Sequence, residues 1–191
     1  MEREYIVDQT ITAEDFTPLT FKKAEYEGCR FLHCDFSNMD LSTIIFSDCE
    51  FVGCNLSMIK TDKTGFRDIL FKDCKLVGIP FNHADPFLLS MKYENCVLDL
   101  SSFYKLKLKK TSFVKCSLRE ADFSEADFTQ AVFNECDLLH AIFAGTIVEK
   151  ADFRTSFNYS IDPETNRIRK AKFSMPAAIG LLDKFDIDIS L

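Results

Sequence analysis

Phenylalanine recurs in this chain at a spacing of five residues, and that spacing limits the fold more than any other feature. Phe16, Phe21, Phe31, Phe36, Phe46, Phe51, Phe66, Phe71 and Phe81 share one phase. Phe103, Phe113, Phe123, Phe128, Phe133, Phe143, Phe153 and Phe173 share a second, displaced by two residues. Of the 20 Phe, only Phe87, Phe157 and Phe185 fall outside both series. Tyr26, Leu41, Leu56 and Leu76 fill gaps in the first; Leu98, Leu108, Leu118, Leu138, Val148 and Ile168 fill gaps in the second. All eight cysteines lie two residues before such a centre: Cys29, Cys34, Cys49, Cys54, Cys74, Cys96, Cys116 and Cys136. Chance would place them all in one slot of five about 3 times in a million, so the frame belongs to the chain. The same slot otherwise takes small or aliphatic residues such as Ala24, Ala121, Ala126 and Ala151, and the position just before the centre is often Asp.

A period of five matches neither a helix nor an alternating strand. It suits a chain that turns a corner every five residues, sending one large and one small side chain inward and three outward. Four corners close a square coil of about 20 residues, and coils stack through parallel backbone hydrogen bonds. The expected fold is an all-β quadrilateral solenoid whose Phe rings stack along its axis, Phe36, Phe51, Phe71, Phe113, Phe123, Phe133 and Phe153 among them. Units centred from Phe16 to Phe173 predict about eight coils, a rod of roughly 38 Å at the strand spacing of a sheet.

The two phases meet between Met91 and Cys96, so the extra residues are expected around Lys92-Tyr93-Glu94-Asn95, as a bulge from which Tyr93 and Glu94 project. Centre slots also fail at Thr61, Pro86, Asn158 and Pro163, with a second irregular corner expected at 60–65. None of these reads as a domain boundary: 1–173 is one solenoid and 174–191 a tail. In the tail Ser174 and Pro176 suit a helix start. Met175, Ala178, Ile179, Leu182 and Phe185 fall at helical spacing on one apolar face. Asp186-Ile187-Asp188-Ile189 alternates like an edge strand. The tail is expected to cap the solenoid core, and its apolar face to make a homodimer.

Units such as Ala121-Asp122-Phe123-Ser124-Glu125, Ala126-Asp127-Phe128-Thr129-Gln130 and Cys34-Asp35-Phe36-Ser37-Asn38 resemble the A(D/N)LXX unit of pentapeptide-repeat proteins. That resemblance implies a right-handed quadrilateral β-helix. The end of the chain, Asp162-Pro163 through Ile168, Ala171-Lys172-Phe173, Leu181-Leu182 and Ile187/Ile189, is similar to that of the quinolone-resistance (Qnr-like) branch. The similarity implies a dimer joined through C-terminal helices. It also implies binding to bacterial type II topoisomerases, DNA gyrase and topoisomerase IV, by a rod resembling duplex DNA in width and charge. The alternative is an interaction solenoid with an unrelated partner.

An enzyme is not expected. His33, His83 and His140 all fall two residues after a centre and point outward, and no phosphate-loop, zinc-protease or nucleophile-elbow motif occurs. Cys34, Cys54, Cys74, Cys96, Cys116 and Cys136 stack on one face, yet thiols in line on parallel strands do not converge on a tetrahedral metal. They are expected to be buried and reduced, with no metal and no cofactor. Net charge −7 and pI about 5.0 disfavour direct binding to nucleic acid or anionic membranes. No apolar run approaches a membrane span, and the polar start Met1-Glu2-Arg3-Glu4-Tyr5 reads as cytoplasmic. The most acidic wall carries Asp15, Asp35, Asp99, Glu120 and Asp137 against Lys75 and Arg119; a basic cluster, Lys105, Lys107, Lys109, Lys110 and Lys115, follows the frame shift. Asp35, Asp99, Asp122, Asp127, Asp137, Tyr93 and Glu94 are therefore the candidate contact residues.

Overall fold

The structure, a computed structural model, describes residues 4–17 and 21–188. Its strands are β1 (Tyr5–Val7), β2 (Thr10–Thr12), β3 (Glu25–Glu27), β4 (Arg30–Leu32), β5 (Ile45–Ser47), β6 (Glu50–Val52), β7 (Gly65–Arg67), β8 (Ile69–Lys72), β9 (Met91–Glu94), β10 (Ser112–Val114) and β11 (Val132–Asn134). They form two parallel sheets, β1-β3-β5-β7 and β2-β4-β6-β8-β9-β10-β11. Register advances by one coil per strand: Phe31 opposes Phe51, Phe51 opposes Phe71, and Phe113 opposes Phe133. The chain is a right-handed quadrilateral β-helix.

We number the walls by their centres. Wall 1 holds β1, β3, β5 and β7 and continues through Leu108, Phe128 and Val148; wall 2 is the long sheet. Wall 3 runs through Phe36, Leu56, Leu76, Leu98, Leu118 and Leu138. Wall 4 runs through Leu41, Thr61, Phe81, Phe103, Phe123 and Phe143. All these centres are buried. The seven strands of wall 2 cover six turns, short of the eight coils expected. Beyond β11 the coiling continues through single bridges, such as Asp137↔Phe157 and Asp152↔Lys172, rather than paired strands.

What separates a strand wall from a bridge wall is visible just before the centre. In wall 3 the Asp35 carboxylate accepts from the Ser37 N–H at 3.0 Å, Asn55 from Ser57 at 3.2 Å and Asp137 from Leu139 at 3.2 Å. These turns divert an N–H and tighten the corner. In wall 2, Arg30, Glu50 and Lys92 occupy that position and the backbone stays extended. The choice belongs to the column more than to the unit. Lys75 and Val97 follow their wall 3 neighbours as single bridges although neither can accept such a bond.

The small inward slot has its own chemistry. The Cys54 thiol donates to the Phe31 carbonyl of the preceding coil at 3.3 Å, and the Cys74 thiol to Phe51 at 3.2 Å. Thr64, Ser101, Thr146 and Ser156 make the same bond from the same slot at 2.6–2.9 Å. The slot admits a small or aliphatic side chain, and where that side chain carries a donor it bonds the preceding coil's carbonyl, as the thiols do at little polar cost. All eight cysteines are free and buried, and burial pushes the Cys49 thiol up to about 12.

Four expectations are corrected. The insertion does not lie at 92–95. The Asp85 N–H still bonds Thr64 O in the first register, while the Ser90 N–H bonds Phe66 O and Ser90 O accepts from Ile69. The extra residues are thus extruded at 86–89, where Pro86 cannot donate to a ladder. Tyr93 is a core centre, 0% exposed, stacked between Phe71 at 5.4 Å and Phe113 at 4.9 Å. The corner at 60–65 is regular: Thr61 sits in the core and satisfies its hydroxyl on Pro80 O at 2.6 Å. The C-terminal cap is not an α-helix but two 3₁₀ turns, Ala177–Leu181 and Asp183–Phe185. The Gly180 carbonyl is taken by the Ile161 N–H at 3.0 Å, which withdraws it from an α-helical ladder. A Cβ at Gly180 would strike the Tyr159 carbonyl, and Ser174 donates its hydroxyl to Arg154 O instead of capping. Asp186–Asp188 forms no strand, and Ile189 lies outside the described residues.

Candidate interaction surface

The candidate aspartates stand on three walls and Glu94 on the fourth, wall 2, so they make no single ridge. Asp35 and Asp137 share the wall 3 column Asp35–Asn55–Lys75–Val97–Ser117–Asp137, with a lysine and a valine between them. Asp99 lies beside that column, Asp122 on wall 4, and Asp127 on wall 1 between Lys107 and Ile147.

Most of these carboxylates are already at work in the wall. Asp122 and Asp127 accept from the N–H two residues on, Ser124 at 2.9 Å and Thr129 at 3.0 Å. Lys109 approaches Asp127 to 3.3 Å. Asp99 accepts from the Ser117 hydroxyl at 2.5 Å and the Arg119 N–H at 3.0 Å. The expectation fails most clearly at Asp137, which is only 7% exposed. Arg119 reaches it at 2.6 Å and Asn158 at 2.9 Å. Burial opposes its charge, but Asn158 and Arg119 hold the carboxyl below its ordinary value. It is an internal buttress, not a contact residue. Asp35 and Glu94 are exposed, and the hydrogen bonds from Ser37 lower the pKa of Asp35 without hiding it.

Tyr93 is lost as a contact residue, being sealed in the core. The side chains that do project from the inserted corner are Phe87 and Leu88, 62% and 65% exposed. Arg67 lies 5.2 Å over the Phe87 ring, and the Phe87 N–H bonds the Asp85 carboxylate at 3.0 Å. Sequence did carry the signal: Phe87 is out of phase beside Pro86, whereas Tyr93 is in phase with Phe103 and Phe113.

At the C-terminus Ala177 and Leu181 pack on the core. Met175, Leu182 and Phe185 turn outward, with Ala178 and Ile179 half-buried. Lys184 ties this segment down through Asp162 at 2.8 Å and Glu164 at 2.6 Å. Among the described residues no group of three or more His, Cys, Asp or Glu could hold a metal, and no helix is long and apolar enough to cross a membrane.

Solved structures of similar shape include QnrB1, a plasmid-mediated fluoroquinolone resistance protein. The R167E, trypsin-treated form matches with a TM-score of 0.63 at 19% identity, over 98% of each chain. The full-length form matches with a TM-score of 0.53 at 21% identity, over 97% of this chain and 98% of that one. HetL, involved in heterocyst differentiation regulation in the cyanobacterium Nostoc sp. strain PCC 7120, matches at 0.52 with 15% identity, over 90% and 84% of the two chains. No curated protein sequence matches this chain. The model of the pentapeptide repeat region matches residues 24–86 and 88–158, parting at the inserted corner, and the chain belongs to the pentapeptide-repeat family.

Proposed function

We propose that this solenoid is a non-enzymatic binder of bacterial type II topoisomerase, gyrase above all, that protects the enzyme from quinolone-type poisons. The observation carrying the reading is its likeness to QnrB1 along nearly the whole of both chains. Contact is made by a rod surface on which Asp35, Glu94, Asp99, Asp122 and Asp127 hold fixed positions. Carboxylates held on a rigid wall offer a partner charge with little entropy lost on binding. The working unit in this reading is a homodimer joined through Met175, Ala178, Ile179, Leu182 and Phe185. Of these, Met175 and Phe185 are exposed apolar side chains on a segment already held to the rod.

The second reading, an interaction solenoid with another partner, is favoured by the interruption of the acidic columns by Lys75 and Val97. A gyrase supercoiling assay with ciprofloxacin separates the two. Under the first reading the protein restores supercoiling, and changing Asp35, Asp99 and Asp122 to Lys weakens protection, less so as salt rises. If wild-type protein neither binds gyrase nor alters quinolone inhibition, the second reading replaces the first.

A further inference from the structure

One corner of the rod, between walls 1 and 2, carries a single residue per coil in the left-handed conformation. In chain order the described occupants are Asp8, Gly28, Asp48, Asp68, Leu88, Lys110, Gln130, Lys150 and Lys170, with φ between 50° and 63°. Away from the insertion they stack directly, each coil's corner N–H reaching the next coil, as in Asp48 N–H to Arg67 O and Lys110 N–H to Thr129 O, both at 2.9 Å. At the insertion this ladder is interrupted at Asp68 and Leu88, and the Asp68 carboxylate accepts from the Ser90 hydroxyl at 3.0 Å. Except for Gly28 every one is exposed. Three acids precede Leu88 and three lysines follow it. Among the described residues none of these six charges has an ion-pair partner within the chain.

This order is self-complementary. A second copy turned by a two-fold axis through Leu88, perpendicular to the rod, lays the acidic half of each corner on the basic half of the other. Asp68 then faces Lys110, Asp48 faces Gln130, and Asp8 faces Lys170. The insertion places the exposed Phe87 and Leu88 on the axis itself, where each meets its own copy. Parallel pairing would set like charges together along both halves. We propose that this corner is a self-association surface whose partner is a second copy of the chain, antiparallel, centred on Leu88. It shares no residue with the C-terminal segment, so it stands or falls apart from that contact.

Full-length Leu88→Cys protein, treated with a short bismaleimide, tests it, because the native thiols are buried. Met58→Cys is the control, an equally exposed left-handed residue on a different corner. The expected result is a covalent dimer, linked through position 88 by peptide mapping, whose yield falls at least fivefold or so between low and high salt. Asp68→Lys or Lys110→Asp added singly should lower the yield, and the two together should restore it. Cross-linking of Leu88→Cys no greater than that of Met58→Cys, or a double exchange that fails to restore the yield, would overturn the proposal. Because the readout is the bond at position 88, a dimer made through the C-terminus neither mimics nor masks it.

Discussion

Wall 1 before the insertion and wall 1 after it are made of the same chain in the same column, yet they differ in nearly every outward respect. Before it, β1, β3, β5 and β7 form an extended sheet lined by Asp8, Glu27, Asp48 and Asp68. After it, Lys107, Asp127, Ile147 and Arg167 meet through single bridges, and Lys110, Lys150, Arg169 and Lys170 replace the acids. Inside, the neighbouring wall 2 runs on unchanged. Phe51, Phe71, Tyr93, Phe113 and Phe133 stack at 4.9–5.4 Å straight past the insertion, with rings within 23° of parallel. The difference shows that core and surface of a solenoid answer to separate constraints. Packing needs one large side chain filling the axis in nearly every unit, ring or not, while the corners tolerate a change of turn, charge and even length.

The largest test of that separation compares two aromatic residues six apart. Tyr93→Ala, a core truncation, should cost roughly 3–5 kcal/mol, as should Phe123→Ala. Phe87→Ala should change stability by about 0.5 kcal/mol or less. Urea denaturation of the three variants reads both values, and a Phe87 cost equal to that of Tyr93 would break the comparison.

A smaller effect is expected where the halves are tied across the insertion. The Ser101 hydroxyl donates to Leu76 O at 2.7 Å and accepts from the Ile79 N–H at 3.0 Å, all buried. Ser101→Ala leaves both backbone groups unpaired and should cost about 1–3 kcal/mol. Ser101→Cys should recover part of that, as a thiol serves the same slot elsewhere; equal losses in thermal melts would argue against the slot rule.

Smaller again is the turn chemistry of the second half. Asp127→Ala removes the acceptor for the Thr129 N–H and should cost about 1 kcal/mol, whereas Asp127→Asn, which keeps an acceptor, should cost less. Identical losses by chemical denaturation would show that the charge, not the turn, matters there.

The mildest effect is on acid stability. Hydrogen bonds from Ser37 lower Asp35, those from Ser42 lower Asp40, and Arg154 lowers Asp152. A carboxyl whose folded value lies below its unfolded one binds fewer protons when folded. Its contribution is therefore complete above about pH 4 and is lost as pH falls through the depressed values. Melting temperature should hold from neutral to about pH 5 and drop below pH 4; a rise on acidification would contradict these assignments.

Much of this is legible in the sequence. Phe spacing located the core, and the cysteine slot located the small inward position. Its donor function was hidden because Cys and Ala fill it alike, and only the bonds of Cys54, Thr64 and Ser101 separate them. The sequence places the insertion one unit late because Met91 continues the first phase while Tyr93 opens the second, and both are apolar enough to be centres. Helical spacing in the tail was real, but the capture of the Gly180 carbonyl by Ile161 overrode it. The acidic surface was the least legible part. An Asp before the centre can hold its own corner or face a partner, and Asp137 does the former because Arg119, one coil away, reaches it.

The central claim is that one uninterrupted core carries the rod past an insertion confined to its surface. Native-state amide hydrogen exchange across residues 64–114 tests it most directly. The account predicts fast exchange at Leu88 and Leu89, with Ser90, Tyr93 and Phe113 protected as strongly as Phe71. Protection that steps to a different level on the two sides of the insertion would mean two separately unfolding solenoids, and would contradict it.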